Sequence, residues 1–446
     1  MSDALLMERD RALEICDRAL GASSAEQTEV NLIASDSGLT RFANNQIHQS
    51  VAEIDATVLV RAVIGQKVGV ASTNDISDEG LVDVAERACA LAEAASPDEH
   101  FPGLPAPGEE PAAVHGAAET ADFGPSERAE AVGECLAIAE KRGQTAAGAC
   151  SADVIVHAVA NSLGIRSYQE GTVAHMRMVF AGDDSSGYAE AYAENASVVD
   201  PRSLAEIAAD KCATSAGPES VKPGRWDVIL EPPAVTDAIF HLGLFAFNAQ
   251  ACLEGRSAIC GRLGEQVCGE NITLTDAPLD PRGLRRAFDF EGMPRQRVDL
   301  IRDGVAQDLV HDRRTASRSG THSTGHAGPP SSTWGPVPLN VFLSPGESSV
   351  AEMIAETERG LLVTRFHYTN MLNPGSAVLT GMTRDGTFLI EDGEIAGGVR
   401  NLRFTENLLE ALSRVDMIGS EGWLDEYAWA PAIRVRDFHF SGTTEF

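Results

Sequence analysis

EGRSAICGRLGEQV at residues 254–267, ITLTDAP at 272–278 and FDFEGMPRQRVDLIRDGVAQDLVHDRRTA at 288–316 punctuate one region, and that punctuation sets the fold of the C-terminal half. Short apolar runs alternate with glycine and proline. The pattern predicts strands over 272–278, 288–291, 297–301 and 305–310, with turns at 292–294 and at Asp303-Gly304. Asp-Gly between apolar runs is a strong hairpin signal, because both central turn residues take positive φ. Further on, 361–366 predicts another strand. On the other side, 226–230 predicts a strand and 234–251 (AVTDAIFHLGLFAFNAQA) a helix. That helix is apolar around most of its circumference and is expected to be deeply buried. Residues 223–446 therefore predict one large, strand-rich, largely antiparallel domain.

The first half reads differently. Residues 4–20 predict an amphipathic helix. Strands follow at 29–35, 39–46, 56–64 and 67–72, with turns at Ser37-Gly38 and Gly65-Gln66. A helix over 78–95 opens on acidic residues after a Ser77 cap. Residues 97–124 are rich in proline, glycine, alanine and acid, the composition of a surface linker. A helix over 125–142 starts with Pro125, whose missing N–H costs nothing in a first turn. Strands at 145–158, 165–180 and 187–193 and a helix at 203–212 complete a second unit, with a turn at 161–164. The organisation is α+β: mixed units at 1–96 and 125–222, a linker between them, and the domain at 223–446. A length of 446 residues fits about three domains.

The formal net charge is −31, from 66 acidic and 35 basic residues, and only Lys67, Lys141, Lys211 and Lys222 are lysines. Such an excess of carboxylates argues against nucleic acid and anionic membrane surfaces as partners, since both need positive patches. It fits a protein of a salt-loaded cytoplasm, where a Debye length of about 3 Å at ~1 M salt screens self-repulsion. No stretch of about 18 apolar residues predicts a membrane span, and the charged N-terminus does not read as a signal peptide. Eight cysteines form no CxxC, so neither a zinc ribbon nor a thioredoxin-type pair is indicated. Small buried thiols of a reducing compartment are expected.

Several segments, in order, resemble the TldD/PmbA (TldD/TldE) family of two-subunit zinc peptidases. GRSAICGRLGEQV, DFEGMPRQRV and LIRDGV are similar to the core of its third region. RFANNQIHQS (41–50), VGVASTN (68–74) and NPGSAVLTGMTRDGTFLIEDGEIAGGVRNLRFTENLLEAL (373–412) agree, so the similarity runs from about residue 28 to 420. The resemblance implies that the 234–251 helix stands where catalytic subunits carry HExxxH, whose histidines hold zinc while the glutamate activates water. Counted back without gaps from GRSAICGRLG, the first His position falls on Phe240, the Glu on His241 and the second His on Phe245. The family's further ligand is a cysteine near the C-terminus, and here none follows Cys268. A zinc peptidase needs three protein ligands, an open position and a general base. By resemblance the chain is a PmbA/TldE-like subunit without HExxxH. It has no cofactor of its own, zinc resides in a TldD-like partner, and the complex acts on unfolded or small peptides. The alternatives are an autonomous peptide hydrolase with a relocated site and a stand-alone peptide-binding homodimer.

Other candidates are thinner. A lone histidine on an apolar helix, His241, is more often a hydrogen-bonded core residue than a ligand. His322 and His326 (THSTGHAGPP) have the i, i+4 spacing of a metal pair, but their surroundings read as a loop without a glutamate beside either. His367 and Tyr368 (RFHYTN) follow a predicted strand end and resemble an aromatic segment leading to the family's peptide-binding region. They are candidates to orient substrate or stabilise an oxyanion. Arg365 and Arg384 are candidate contacts for a peptide carboxylate. Asp289 and Glu291 share one face at strand spacing, a solvated or salt-bridged pair before it is an acid/base pair. A nucleophilic role for Cys260 or Cys268 would need a neighbouring histidine. No G-x-S-x-G, P-loop or G-x-G-x-x-G is present.

Overall fold

The computed structural model describes residues 7–444. The N-terminal half runs α1 (Arg9–Ala22), β1 (Gln27–Ala43), β2 (Gln46–Ile64), β3 (Lys67–Thr73), α2 (Asp78–Ala94), α3 (Ala118–Ala121), α4 (Pro125–Arg142), β4 (Thr145–Asn161), β5 (Arg166–Ala181), β6 (Ser186–Ala193) and α5 (Pro201–Thr214). Residues 4–6 of the expected first helix lie outside the described residues. The strands of the two N-terminal units join one antiparallel sheet in the order β3-β2-β1-β4-β5-β6. Alternation along β1 fixes what covers each face. Val30, Leu32, Ala34 and Phe42 point to the helices, α1 and α2 over one half and α4 and α5 over the other. Glu29 and Asn31 are buried on the opposite face. Within 97–124, Leu104 and Val114 are buried, and Leu104 N donates to Gln27 Oε1 at 2.8 Å.

The expected turn at Ser37-Gly38 is absent, and β1 runs straight through it. A Cβ at position 38 would sit 2.2 Å from Nη1 of Arg128, so this glycine serves the close approach of a buried guanidinium. The chain reverses instead at Asn44-Asn45, both at positive φ (51° and 58°) between the paired residues Ala43 and Gln46. This is the type I′ hairpin geometry that asparagine tolerates.

The C-terminal half comprises β7 (Gly224–Leu230), α6 (Pro232–Ala246), α7 (Ala249–Leu253), β8 (Leu274–Asp276), β9 (Val298–Arg302), β10 (Val305–Ala306), α8 (Arg313–Ser319), β11 (Val341–Leu343), α9 (Val350–Ala355), β12 (Arg359–Asn373), β13 (Val378–Glu391), β14 (Glu394–Gly398), β15 (Leu402–Asn407), α10 (Leu408–Ser413), β16 (Val415–Leu424) and β17 (Ala428–Thr443). Among the described residues its eleven strands form one sheet, antiparallel except where β11 meets β17 and β12 meets β7. The Asp303-Gly304 turn joins β9 to β10 as expected, with φ of 49° and 76°. The helix expected over 234–251 is two helices. It breaks at Phe247, and the Asn248 side chain caps α7 by accepting from Gln250 N (2.8 Å) and Ala251 N (3.2 Å).

The halves meet across the sheet face opposite the helices. Ser167 Oγ donates to Gly292 O (3.0 Å) and Asn31 Nδ2 to Phe290 O (3.1 Å), while the His157 ring packs on Phe288 and Phe290. Arg285 holds Glu194 through Nε and Nη2, both to Oε2, at 2.9 and 2.7 Å. Among the described residues no helix is long and apolar enough to cross a membrane.

Candidate functional site

The helix α6 is not buried all round. Val235, Ile239, Leu242 and Ala246 enter the core, whereas Asp237, Phe240, His241, Leu244 and Phe245 form a half-exposed stripe. Their spacing of i, i+3, i+4, i+7 and i+8 is one helical face. Phe240 stacks on Tyr427 (centroids 4.9 Å apart), and Phe245 meets the half-exposed Trp334 edge-on at 5.6 Å. His241 Nδ1 lies 2.8 Å from the Asp237 carbonyl and 3.3 Å from its carboxylate. Burial opposes the imidazolium, but the Asp237 carboxylate and carbonyl outweigh it and raise His241 above its ordinary value. Thr369 of β12 donates to Asp237 Oδ1 at 3.1 Å, tying the stripe to the neighbouring hairpin.

That hairpin carries four of the candidates. The strand expected to end at Phe366 continues to Asn373, with its pairing to β13 interrupted between His367 and Asn370. Tyr368 sits in this bulge at φ 51° and is 73% exposed, its ring 4.6 Å from that of His367. A bulky residue at positive φ is a strained position of the kind that gathers at functional sites. His367 is held below its ordinary value by burial and by Arg365 and Arg384. Arg365 is not free for a peptide carboxylate. It pairs with Asp385, and its guanidinium lies 4.2 Å from the Tyr188 ring centroid. Ser186 donates to the other oxygen of Asp385 (2.9 Å), so the cluster pins β6 to the C-terminal sheet. Arg384 stands 4.0 Å from Asp385 and stays partly exposed.

His322 and His326 are not brought together. His322 is exposed, while His326 is buried with Nε2 3.1 Å from Asp276 Oδ1 and Nδ1 2.9 Å from the Thr324 hydroxyl. The segment is a loop, so i, i+4 spacing does not set the two on one face. Among the described residues no group of three or more His, Cys, Asp or Glu is arranged to hold a metal ion.

Family and structural comparisons fit this architecture. Residues 28–92 match the PmbA/TldA metallopeptidase domain 1, and residues 223–442 match the PmbA/TldA metallopeptidase C-terminal domain. The chain belongs to the PmbA/TldD family. A metalloprotease of Methanothermobacter thermautotrophicus is 30% identical over 44% of this chain and 43% of its own length. A PmbA homolog of Haemophilus influenzae is 23% identical over 91% of this chain and 88% of its own. The chain thus spans under half the length of several curated relatives it matches. The crystal structure of TldE from Thermococcus kodakarensis superposes with a TM-score of 0.88 at 23% identity, covering 97% of this chain and all of that one. The α+β architecture is therefore that of the PmbA/TldD fold.

In this PmbA/TldD chain the sequence hides one further cluster. Asp289 and Glu291 are not on a solvated strand face. The segment turns at Gly292 (φ 71°), and both acids are buried where the halves meet. Asp289 accepts from Glu291 N, Met293 N and Ala327 N at 2.9–3.0 Å. Arg61 donates to Glu29 at 2.7 Å and lies 3.6 Å from Glu291, with its Nε buried and unpartnered. Arg61 and Glu291 floor a cavity of about 460 Å³, walled also by Gln250, Glu254 and Arg314. The only sequence signal was two acids beside aromatic residues, which solvated strands share. Burial raises both carboxyls, and Glu291 is pushed up to about 8 despite Arg61. Three backbone donors offset part of the burial at Asp289, whereas Glu291 also faces the charges of Asp289 and Glu29.

A folded-state value above the unfolded one stabilises fully below pH ~4.5, and that contribution is lost as pH rises through about 8. Glu291→Gln fixes the neutral form. Between pH 5.5 and 8.5 the wild type is expected to lose about 3 kcal/mol more than the variant. Denaturant midpoints at constant salt measure this. Parallel pH profiles for the two proteins would show that Glu291 is ionised throughout.

Proposed function

We propose that this chain is the subunit without zinc of a TldD/TldE-type metallopeptidase complex. It pairs with a zinc-bearing TldD-like chain in the cytoplasm and walls a chamber that admits unfolded or small peptides. The reading rests on the half-exposed stripe of α6. At the two positions aligned with zinc ligands by resemblance it offers the rings of Phe240 and Phe245, which have no lone pair to donate. Its one histidine is engaged by Asp237. This donor set does not fit a zinc ion, which takes nitrogen, sulfur or oxygen ligands, and no catalytic step is assigned to it.

What remains suits binding. β12 pairs with β7 only over Gly360–Val363 and with β13 alone from Arg365 to Asn373. Its outer half therefore carries main-chain groups on an edge that an extended peptide can join by strand addition. His367, Tyr368 and the α6 stripe flank that edge, with Thr369 linking them.

Purified alone in high salt, the chain is expected to contain far less than one zinc per molecule and to show no peptidase activity. Activity should appear on adding the TldD-like chain of the same genome. Stoichiometric zinc together with activity of the chain alone would overturn the proposal. In that event alanine at His322, His326 and His367 would test a relocated site. A stable homodimer that ignores the TldD-like chain would favour a stand-alone peptide-binding protein.

A further inference from the structure

The loop after α7 folds back onto it. Arg256 N donates to Ala251 O (2.8 Å), Ser257 Oγ to Ala246 O (2.6 Å) and Ile259 N to Ser257 Oγ (3.0 Å). This return sets Cys260 against the end of α7, with its Sγ donating to the Cys252 carbonyl oxygen at 3.2 Å. Burial first, and the neighbouring Cys260 second, push the Cys252 thiol up to about 12. Among the described residues Cys260 is the exposed thiol and Cys252 a half-buried one, whereas Cys16, Cys89, Cys135, Cys150, Cys212 and Cys268 are buried. The pair is thus an accessible thiol with a second cysteine beside it, the arrangement of a peroxide-sensitive cysteine and its resolving partner, a chemistry that does not call for the histidine a hydrolytic nucleophile would need.

We propose that Cys252 and Cys260 form a reversible redox pair, closed to a disulfide by a hydroperoxide. The Cys260 thiolate attacks a peroxide oxygen, the O–O bond breaks, and the departing hydroxide takes a proton to leave as water. Cys260 is then a sulfenic acid. The Cys252 sulfur attacks it, the S–S bond forms as the S–O bond breaks, and the hydroxyl leaves as a second water with the Cys252 proton. Two thiols and one hydrogen peroxide give one disulfide and two waters, with the sulfurs oxidised and the peroxide reduced. A thiol reductant reverses the step. The ring closes between α7 and its return loop. It fixes the helix that supplies Gln250 and Glu254 to the cavity above Arg61 and Glu291, so the redox state acts on that wall. This does not depend on whether the chain pairs with a zinc subunit.

The full chain, kept in molar salt, is treated with hydrogen peroxide, alkylated and digested with trypsin without reduction. Arg256 lies between the two cysteines, so their peptides, 226–256 and 257–262, stay together only through a disulfide. The linked pair is expected, about 2 Da lighter than the sum of its reduced halves, and is lost on adding dithiothreitol. Cys260→Ser is expected to abolish the link. Cys252→Ser should leave Cys260 as a sulfenic acid that dimedone traps. Cys260 recovered reduced, joined to a different cysteine, or carried to sulfinic acid in the wild type without the link would overturn the proposal.

Discussion

Dialysis from molar potassium chloride to a few millimolar is expected to abolish the far-UV circular dichroism of the folded chain. Few cations remain to offset its carboxylates. Most arginines are already committed, as where Arg434 and Arg436 share Asp416 and Arg285 grips Glu194. The surplus acid is crowded. Exposed Glu53 and Asp55 lie two residues apart on one face of β2, paired with Ser37 and Ser35 of β1 and with no cation opposite them. Asp183 and Asp184 share one tight turn between β5 and β6. Like charges this close repel. At ~0.01 M salt the Debye length is about 30 Å, so distant carboxylates repel as well; at ~1 M it is about 3 Å and only neighbours do. Salt also weakens surface ion pairs, but each is worth ~0–1 kcal/mol, and the net charge of −31 decides the sign. Ellipticity followed against potassium chloride concentration measures this. A spectrum unchanged at low millimolar salt would show that the acidity does not set the salt requirement.

What the sequence disclosed, and what it withheld, follows from the range of the forces involved. Local signals were legible: the Asp303-Gly304 hairpin, the Ser77 cap of α2 and the Pro125 start of α4 depend on neighbours a few residues away. Gly38 misled because its cause is remote. Ninety residues later the chain supplies Arg128, and a glycine that admits a guanidinium looks the same as one that makes a turn. The break of α6 was masked by apolar residues on both sides, although Asn248 within them is a capping residue. Arg365 could be proposed as a free cation only because its partner, Asp385, comes from the next strand and its stacking ring, Tyr188, from the other sheet. For Asp289 and Glu291 the period-two pattern was real, but a turn at Gly292 and the docking of two sheets carried both acids inside. The candidate site was readable at α6 and β12, where one helix and one strand supply it. It was unreadable where the halves of the chain must meet to make it.

The same remoteness makes Asp276 a position where one substitution should cost a great deal. Its carboxylate is fully buried in β8, 3.1 Å from His326 Nε2 and accepting from Asn340 N at 3.1 Å. The buried Arg295 and the partly buried Arg286 both feel its charge. Arg286 is pushed down to about 10 by burial and by Arg295, and Arg295 is lowered by burial with its Nε unpartnered. Burial alone would raise Asp276, but His326, Arg295 and the Asn340 N–H outweigh it and hold the carboxyl below its ordinary range. A lowered value stabilises above the unfolded pKa and is lost as pH falls through the folded one, so at neutral pH the full contribution is present. Asp276→Ala removes the buried anion that His326 and Arg295 face, a loss of about 3–5 kcal/mol. The exposed pair Arg87–Asp83 is the control, and Asp83→Ala should cost less than ~1 kcal/mol. Asp276→Asn separates charge from shape, and it is expected to lose nearly as much as alanine. The damage should also reach the candidate site. His326 anchors the loop through Val337 N, which donates to its carbonyl at 3.0 Å, and that loop carries Trp334 to Phe245 on the α6 stripe. Urea midpoints and red-shifted tryptophan emission in the variant are the paired readouts, and a destabilisation under ~1 kcal/mol would mean that the arginines find compensation elsewhere.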